Sequence, residues 1–167
     1  MFVDIIRTET ICLHPRFLNG NVTFNIQEQL KKEYNNTMSE NFGFTLDISD
    51  VSVATKALIT NANGYLEFPV RFNSKCIKIE KDEIITARVT DVMQTGFFAQ
   101  YGPYSIYVGQ AQIPNDLYFN NVTKTFTTQD KSYSLEKNFD VKIKIIGIKY
   151  TNSKFIVIGS IKGDYLG

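Results

Sequence analysis

Tryptophan is absent from these 167 residues, histidine occurs once and cysteine twice. With His14 alone, no metal cluster or relay that needs a second imidazole can be built. Cys12 and Cys76 lie far apart and form no Cys-x-x-Cys pair, so zinc and thiol-redox chemistry have nothing to stand on. Both are expected as reduced, small core residues. No phosphate loop occurs and no paired carboxylates sit in a Gly-rich setting, so no enzyme, cofactor or metal is expected. Charge of one sign is missing too. The net charge is +1, balanced on either side of residue 78, which removes any bulk electrostatic case for nucleic-acid binding. Long apolar runs are lacking: no window approaches the roughly 20 residues of a membrane span. The segment from Met1 to Arg7 has neither the apolar stretch nor the cleavage site of a signal peptide. A soluble, intracellular chain without a membrane partner is expected.

What the chain does have is apolar and aromatic material in strand-like order. Its hydrophobic fraction of 43% is enough for a real core, and 13 Phe with 9 Tyr supply good strand formers. Val3 to Leu13 alternates as a strand and stops at His14-Pro15. A loop with Asn19-Gly20 follows. Ile26, Leu30 and Tyr34 then recur every fourth position, which predicts an amphipathic helix over Val22–Tyr34. Asn25 with Glu28 offers a capping box, and Asn35-Asn36 a stop. Period two returns in Phe44–Ile48, Val51–Ala54 and, after a tight turn at Asn61–Gly64, Tyr65–Phe72. Strand, helix and then an antiparallel set describe an α+β unit with its helix on one face of the sheet.

Beyond residue 78 no further helix of normal length is evident. The charged run at Lys78, Glu80, Lys81, Asp82 and Glu83 marks a boundary, giving units 1–78 and 79–167. Lys78–Met93, Thr95–Pro103, Tyr104–Val108, Asp140–Ile148 and Lys154–Gly159 read as five strands, with a long connection over Gln110–Thr128. Five short strands with one excursion predict a small closed barrel of the oligonucleotide-binding type.

The order of Ala87-Arg88-Val89, Gly96-Phe97-Phe98-Ala99 and Gly102–Val108 resembles an S1 domain. Leu13-His14-Pro15, Asn41-Phe42-Gly43-Phe44 and Ile113-Pro114-Asn115-Asp116-Leu117-Tyr118-Phe119-Asn120 resemble motifs of the stalk subunits of DNA-dependent RNA polymerase shared by archaea and eukaryotes. The final Gly159-Ser160-Ile161-Lys162-Gly163-Asp164-Tyr165-Leu166-Gly167 is most similar to the RNA polymerase II, seventh-subunit type. This resemblance covers nearly the whole chain in the expected order. It implies a ribonucleoprotein-like tip domain followed by an S1 barrel, in a non-catalytic subunit with roles in transcription initiation. It also implies pairing with a fourth-subunit-type partner, docking on the polymerase core, contact with nascent single-stranded RNA and a nuclear location. The many Asn, Lys and Ile residues suggest an AT-rich genome, so a viral source, with a cytoplasmic virus factory or virion as its compartment, also fits. A free-standing S1 protein of translation or RNA decay is the alternative of a different class.

Candidate site residues follow from both readings. Alternation puts Phe97, Ala99 and Tyr101 on one face of their strand and Phe98 and Gln100 on the other. An outward Phe98 beside Tyr107 and Arg88 would be a stacking platform with a cation; the competing reading packs Phe98 under the 110–128 connection. Thr95 and Gly109 stand where S1 domains that bind RNA well carry an aromatic and a histidine, so only Phe98 matches that surface. Between Val141 and Gly163 lie Lys142, Lys144, Lys149, Lys154 and Lys162 with no acid. Of these, Lys142 and Lys144 are candidates for phosphate contact, against a merely solvated strand face. For docking, the resemblance implies the loop with Pro15, Arg16, Phe17, Asn19 and Gly20, together with the Asn63-Gly64 turn. Phe17 would be an anchor, or a loop aromatic folded onto its own sheet. The tail is expected to pack between the domains or onto a partner, or to fray.

Overall fold

Alternating apolar residues over residues 2–13, 43–53 and 66–77 build the long strands of the first unit, in a computed structural model that describes residues 1–53, 56–59 and 64–167. The chain divides into two compact units, Met1–Lys78 and Ile79–Gly167.

In the first unit, β1 (Phe2–Leu13) leads through a single 3-10 turn (Pro15–Leu18) to α1 (Val22–Tyr34). β2 (Met38–Ser39), β3 (Gly43–Val53), β4 (Leu58–Ile59) and β5 (Leu66–Ile77) follow. The sheet order is β1-β5-β3-β2, with β4 paired to the start of β5. β1 and β5 form an uninterrupted antiparallel ladder from Phe2–Ile77 to Leu13–Leu66. The helix-side core holds Ile11, Leu13, Ile26, Leu30, Ile48, Phe68, Val70 and Phe72. Each such fully buried aliphatic or aromatic side chain contributes about 1.5–3 kcal/mol.

Three details differ from expectation. The two short strands predicted around residue 50 are one strand, β3, kept continuous by register shifts between Thr45 and Asp47 and between Ser49 and Ser52. The second places Asp50 at φ 51°, a local insertion that bends the strand without ending it. The helix is capped by Asn21, whose side chain accepts from the Phe24 backbone N–H at 3.2 Å, and not by the Asn25–Glu28 pair. Asn25 instead donates to the Phe17 carbonyl at 2.7 Å and ties α1 to the preceding turn. Cys76 is buried as expected, but Cys12 is exposed because it occupies an outward position of β1.

Arg7 occupies an inward position of β1 and is only 7% exposed. Its guanidinium lies 4.3 Å from the Phe42 ring centroid, 4.8 Å from Tyr34 and 5.6 Å from Phe72, and pairs with Glu9 at 3.0 Å. A cation taken out of water is costly unless paired; three ring faces and one carboxylate offset part of that cost, while Nε is buried without a hydrogen-bond partner. Burial, and then Glu9, raise the Tyr34 hydroxyl above its ordinary pKa.

The second unit is a closed barrel. β6 (Ile84–Met93), β7 (Gly96–Tyr101), β8 (Tyr104–Gly109), β12 (Asp140–Thr151) and β13 (Lys154–Ser160) close in the order β12-β13-β8-β7-β6. Its interior is filled by the inward residues Ala87, Val89, Phe97, Ala99, Ile106, Val108, Ile143, Ile145 and Val157. Register shifts in β6 between Val89 and Asp91, and in β12 between Ile145 and Gly147, bend these strands around the ring. The seam between β13 and β8 is parallel and short, joining Val157 with Ile106 and Ile158 with Tyr107. At Gly96 (φ +150°) a Cβ would lie 2.2 Å from the Val108 carbonyl oxygen, so the turn into β7 admits no side chain.

The connection after β8 is not structureless. A 3-10 turn (Gln110–Gln112) is followed by a three-stranded sheet of β9 (Leu117–Asn120), β10 (Thr125–Thr128) and β11 (Ser134–Leu135). Phe126 and Leu135 are buried beneath it, and Phe119 meets Phe126 edge-on at 5.3 Å. The tail returns to the barrel: Gly167 exchanges backbone hydrogen bonds with Lys142 at 2.9 and 3.4 Å. Leu166 is half-buried, while Tyr165 is 93% exposed.

Replacing Asn21 by Ala is expected to cost about 1 kcal/mol of tip-domain stability. Glu28→Ala should stay within about 0.5 kcal/mol, as a surface change with no capping role. Denaturant unfolding of the two variants distinguishes the two caps.

Candidate functional site

The packed barrel interior fixes what faces outward. Phe97 and Ala99 are fully buried, so Phe98 between them must point away from the core. Phe98 is in register with Tyr107 on β8, and the two half-buried rings lie 5.0 Å apart at 47°. The Tyr107 hydroxyl donates to the Thr95 carbonyl at 3.0 Å and holds the ring in place. Gly109 lies beside that ring, where an added Cβ would make an ordinary contact at 3.5 Å. Of the two positions that depart from the S1 aromatic pattern, Thr95 bonds Tyr107 through its backbone carbonyl and Gly109 lies beside the ring. Tyr107 is also in register with the exposed Ile158 on β13, extending an apolar stripe over three strands.

The cations are arranged differently from expectation. Arg88 projects outward from β6 opposite Gln100, but its guanidinium is forked onto Asp140 of β12 and not laid over Phe98. Nε reaches Oδ1 at 2.9 Å and Nη2 reaches Oδ2 at 3.3 Å. The hydrogen bond from Arg88, more than its charge, holds the Asp140 carboxyl below its ordinary range. Lys144 is likewise engaged, 3.4 Å from Asp82. Lys142 is exposed opposite Thr86, with its backbone bonded to Gly167. A shallow, open groove of about 490 Å³ runs beside the Arg88–Asp140 fork, lined also by Thr86, Thr90, Gln100, Tyr101, Gly102 and Asn138. Of the five predicted RNA-contact residues, the structure brings Phe98 and Tyr107 together, leaves Lys142 open, and gives Arg88 and Lys144 acidic partners. Asp140 and Ile158 had no signal in the sequence as site residues, because nothing local reveals which strands they neighbour.

In the first unit, the Leu13–Leu66 pair brings the loop after β1 and the turn before β5 to one end of the sheet. His14 accepts at Nδ1 from the Arg16 N–H at 3.1 Å and meets the Tyr65 ring edge-on at 5.3 Å. This fixes Pro15, Arg16 and Phe17 in the 3-10 turn. Phe17 is exposed, with Arg16 lying 4.6 Å over its ring, so it is not folded onto the sheet. Asn19 is exposed, and Gly20 (φ +90°) and Gly64 (φ +69°) take left-handed turns; Asn63 falls outside the described residues. Leu58 and Ile59, not singled out in the sequence, pair with this same end of β5 and are 64% and 71% exposed.

Comparison with known proteins accounts for both units. Residues 78–158 match the model of the S1 RNA binding domain. Residues 8–64 match the SHS2 domain found in the N terminus of Rpb7p/Rpc25p/MJ0397. The chain is 35% identical over 168 residues to DNA-directed RNA polymerase II subunit 7 of Arabidopsis thaliana, covering all of this chain and 96% of that relative. The chain belongs to the RNA polymerase II seventh-subunit family. It is 34% identical to the RPB7 subunit of Glycine max, again over its full length and 96% of the relative. With RPB7 of Saccharomyces cerevisiae it shares 29% identity over 94% of this chain and 93% of the relative. Membership accounts for the tip as well as the barrel, which a free-standing S1 protein does not.

Arg88→Ala should move the Asp140 titration midpoint upward, toward the ordinary carboxylate value. Carbon-detected NMR titration checks this. A folded-state pKa held low favours the folded form above the unfolded value, and that contribution fades as pH falls through the folded one.

Proposed function

We infer that this chain is a non-catalytic subunit of a DNA-dependent RNA polymerase of the polymerase II type, working in the nucleus. The observation that carries this is collinear likeness to seventh subunits across both units, 35% identical over the full chain. On this reading it forms the stalk heterodimer with a fourth-subunit-type partner. The tip domain docks on the polymerase core, and the barrel contacts nascent single-stranded RNA. No cofactor is called for. Arabidopsis, soybean and yeast are nucleated organisms, and a viral compartment gains no support from these relatives.

Each surface has a physical basis for its role. At the tip, exposed Phe17, Leu58, Ile59 and Tyr65 gather at the end of the β1–β5 ladder, beside Pro15, Arg16, Asn19, Gly20 and Gly64. Exposed apolar and aromatic side chains on a short, hydrogen-bonded turn suit insertion into a pocket. On the barrel, Phe98 and Tyr107 present ring faces at which bases of any sequence can stack, as a transcript-tracking subunit requires. Lys142 adds an exposed cation for a passing phosphate.

Tagged protein recovered from its native cells should bring down the largest polymerase subunits and a smaller stalk partner. Recovery without them would sink the assignment. Replacing Phe98 and Tyr107 by Ala should remove about 1–3 kcal/mol per stacked base. Crosslinking to emerging transcript should then weaken while polymerase assembly persists, and unchanged crosslinking would remove the stacking role.

A further inference from the structure

The groove beside the Arg88–Asp140 fork has a use that the stacking pair does not cover. Its lining carries one cation, Arg88, and one anion, Asp140, among uncharged residues that include Tyr101 and Gln100. Two donors of the guanidinium, Nε and Nη2, are spent on the carboxylate. Both side chains are more than half exposed, so water already competes for the pair. A phosphate presents to arginine the same planar pair of acceptor oxygens as a carboxylate, so it can take the place of Asp140. The position is also right. Gln100, which faces Arg88, lies two residues along the outer face of β7 from Phe98, a separation of roughly 7 Å. Phe98 itself faces the exposed Asp91, so a strand stacked on Phe98 that runs along β7 toward Gln100 carries its neighbouring phosphate away from that carboxylate and past Arg88.

We propose that Asp140 competes with the phosphate of single-stranded RNA for Arg88, holding this outward cation in reserve and keeping the barrel's grip on RNA weak. The proposal rests on the RNA-contacting role of the barrel. It explains how a surface with exposed aromatics can touch RNA of any sequence without retaining it: stacking is available at once, while the phosphate contact must displace an internal anion. It also makes Asp140 the residue that sets affinity, although it carries the wrong charge to touch RNA itself.

The test uses the full-length chain and a fluorescently labelled oligouridylate, read by anisotropy over a range of salt. Asp140→Asn keeps the side-chain shape and removes the competing charge. Binding at low salt should tighten by about threefold to tenfold, and the plot of log affinity against log salt should steepen by about 0.7, as for one added phosphate contact on a single strand. Adding Arg88→Gln to Asp140→Asn should return both values to those of the wild type. Asp140→Ala serves as a second variant, with thermal melting to confirm that each is folded. If Phe98→Ala with Tyr107→Ala weakens binding but neither Asp140 variant changes affinity or slope, the proposal is wrong and the RNA role stands. If wild type and all variants bind with the same negligible affinity, the RNA role falls and the proposal with it.

Discussion

Everything the second unit presents to solvent depends on the filling of its barrel. The five-stranded interior is filled by branched aliphatics, two alanines and Phe97. Because side chains alternate strictly along a strand, each buried residue fixes its neighbours on the outer wall. Gly159 shows how little slack remains: a Cβ there would lie 2.2 Å from Ile143 Cγ2 and 3.0 Å from Ile106 Cγ2. A one-residue slip of β7 would bury Phe98 and expose Phe97. The outer surface is therefore as well defined as the core, although it has few contacts of its own.

The two units face different physical problems. The tip presents apolar side chains on a short turn and a two-residue edge strand, the surface proposed for docking. The barrel offers aromatic faces, an exposed Lys142, and two cations, Arg88 and Lys144, that already hold exposed acidic partners. Arg7 and Arg88 state the contrast in one residue type. Arg7 is enclosed by three rings and a carboxylate and serves the fold. Arg88 has one exposed carboxylate partner and can exchange it.

Much of this was legible in the sequence, wherever the signal was local. Period two gave the long strands, period four gave α1, and the charged run after Ile77 marked where one pattern ends and the next begins. Phe98 and Tyr107 could be read because parity sets their direction and a tight turn sets their register. What could not be read depends on contacts between distant segments. Asp140 lies 52 residues from Arg88, and no local pattern pairs β6 with β12. The bulges in β3, β6 and β12 answer to closure and curvature, and composition carries no trace of them. Arg7 did leave a trace, as a charge at an inward position between Ile5 and Ile11, but its ring partners come from α1, β5 and the residues just before β3.

The strand order also bears on how the chain is made. In the tip, among the described residues, β1 pairs with β5, so residues 2–13 stay without that ladder until residues 66–77 have followed. In the barrel, β6 closes on β12 only after the intervening hairpins and sheet. Each unit is thus a single closure between its early and late segments, with loop entropy to be overcome before any long-range contact rewards it. The two are expected to fold in turn during synthesis, each slowly and all at once, with apolar strand edges open in the meantime. Any contact that covers such edges soon after synthesis would therefore act on folding yield.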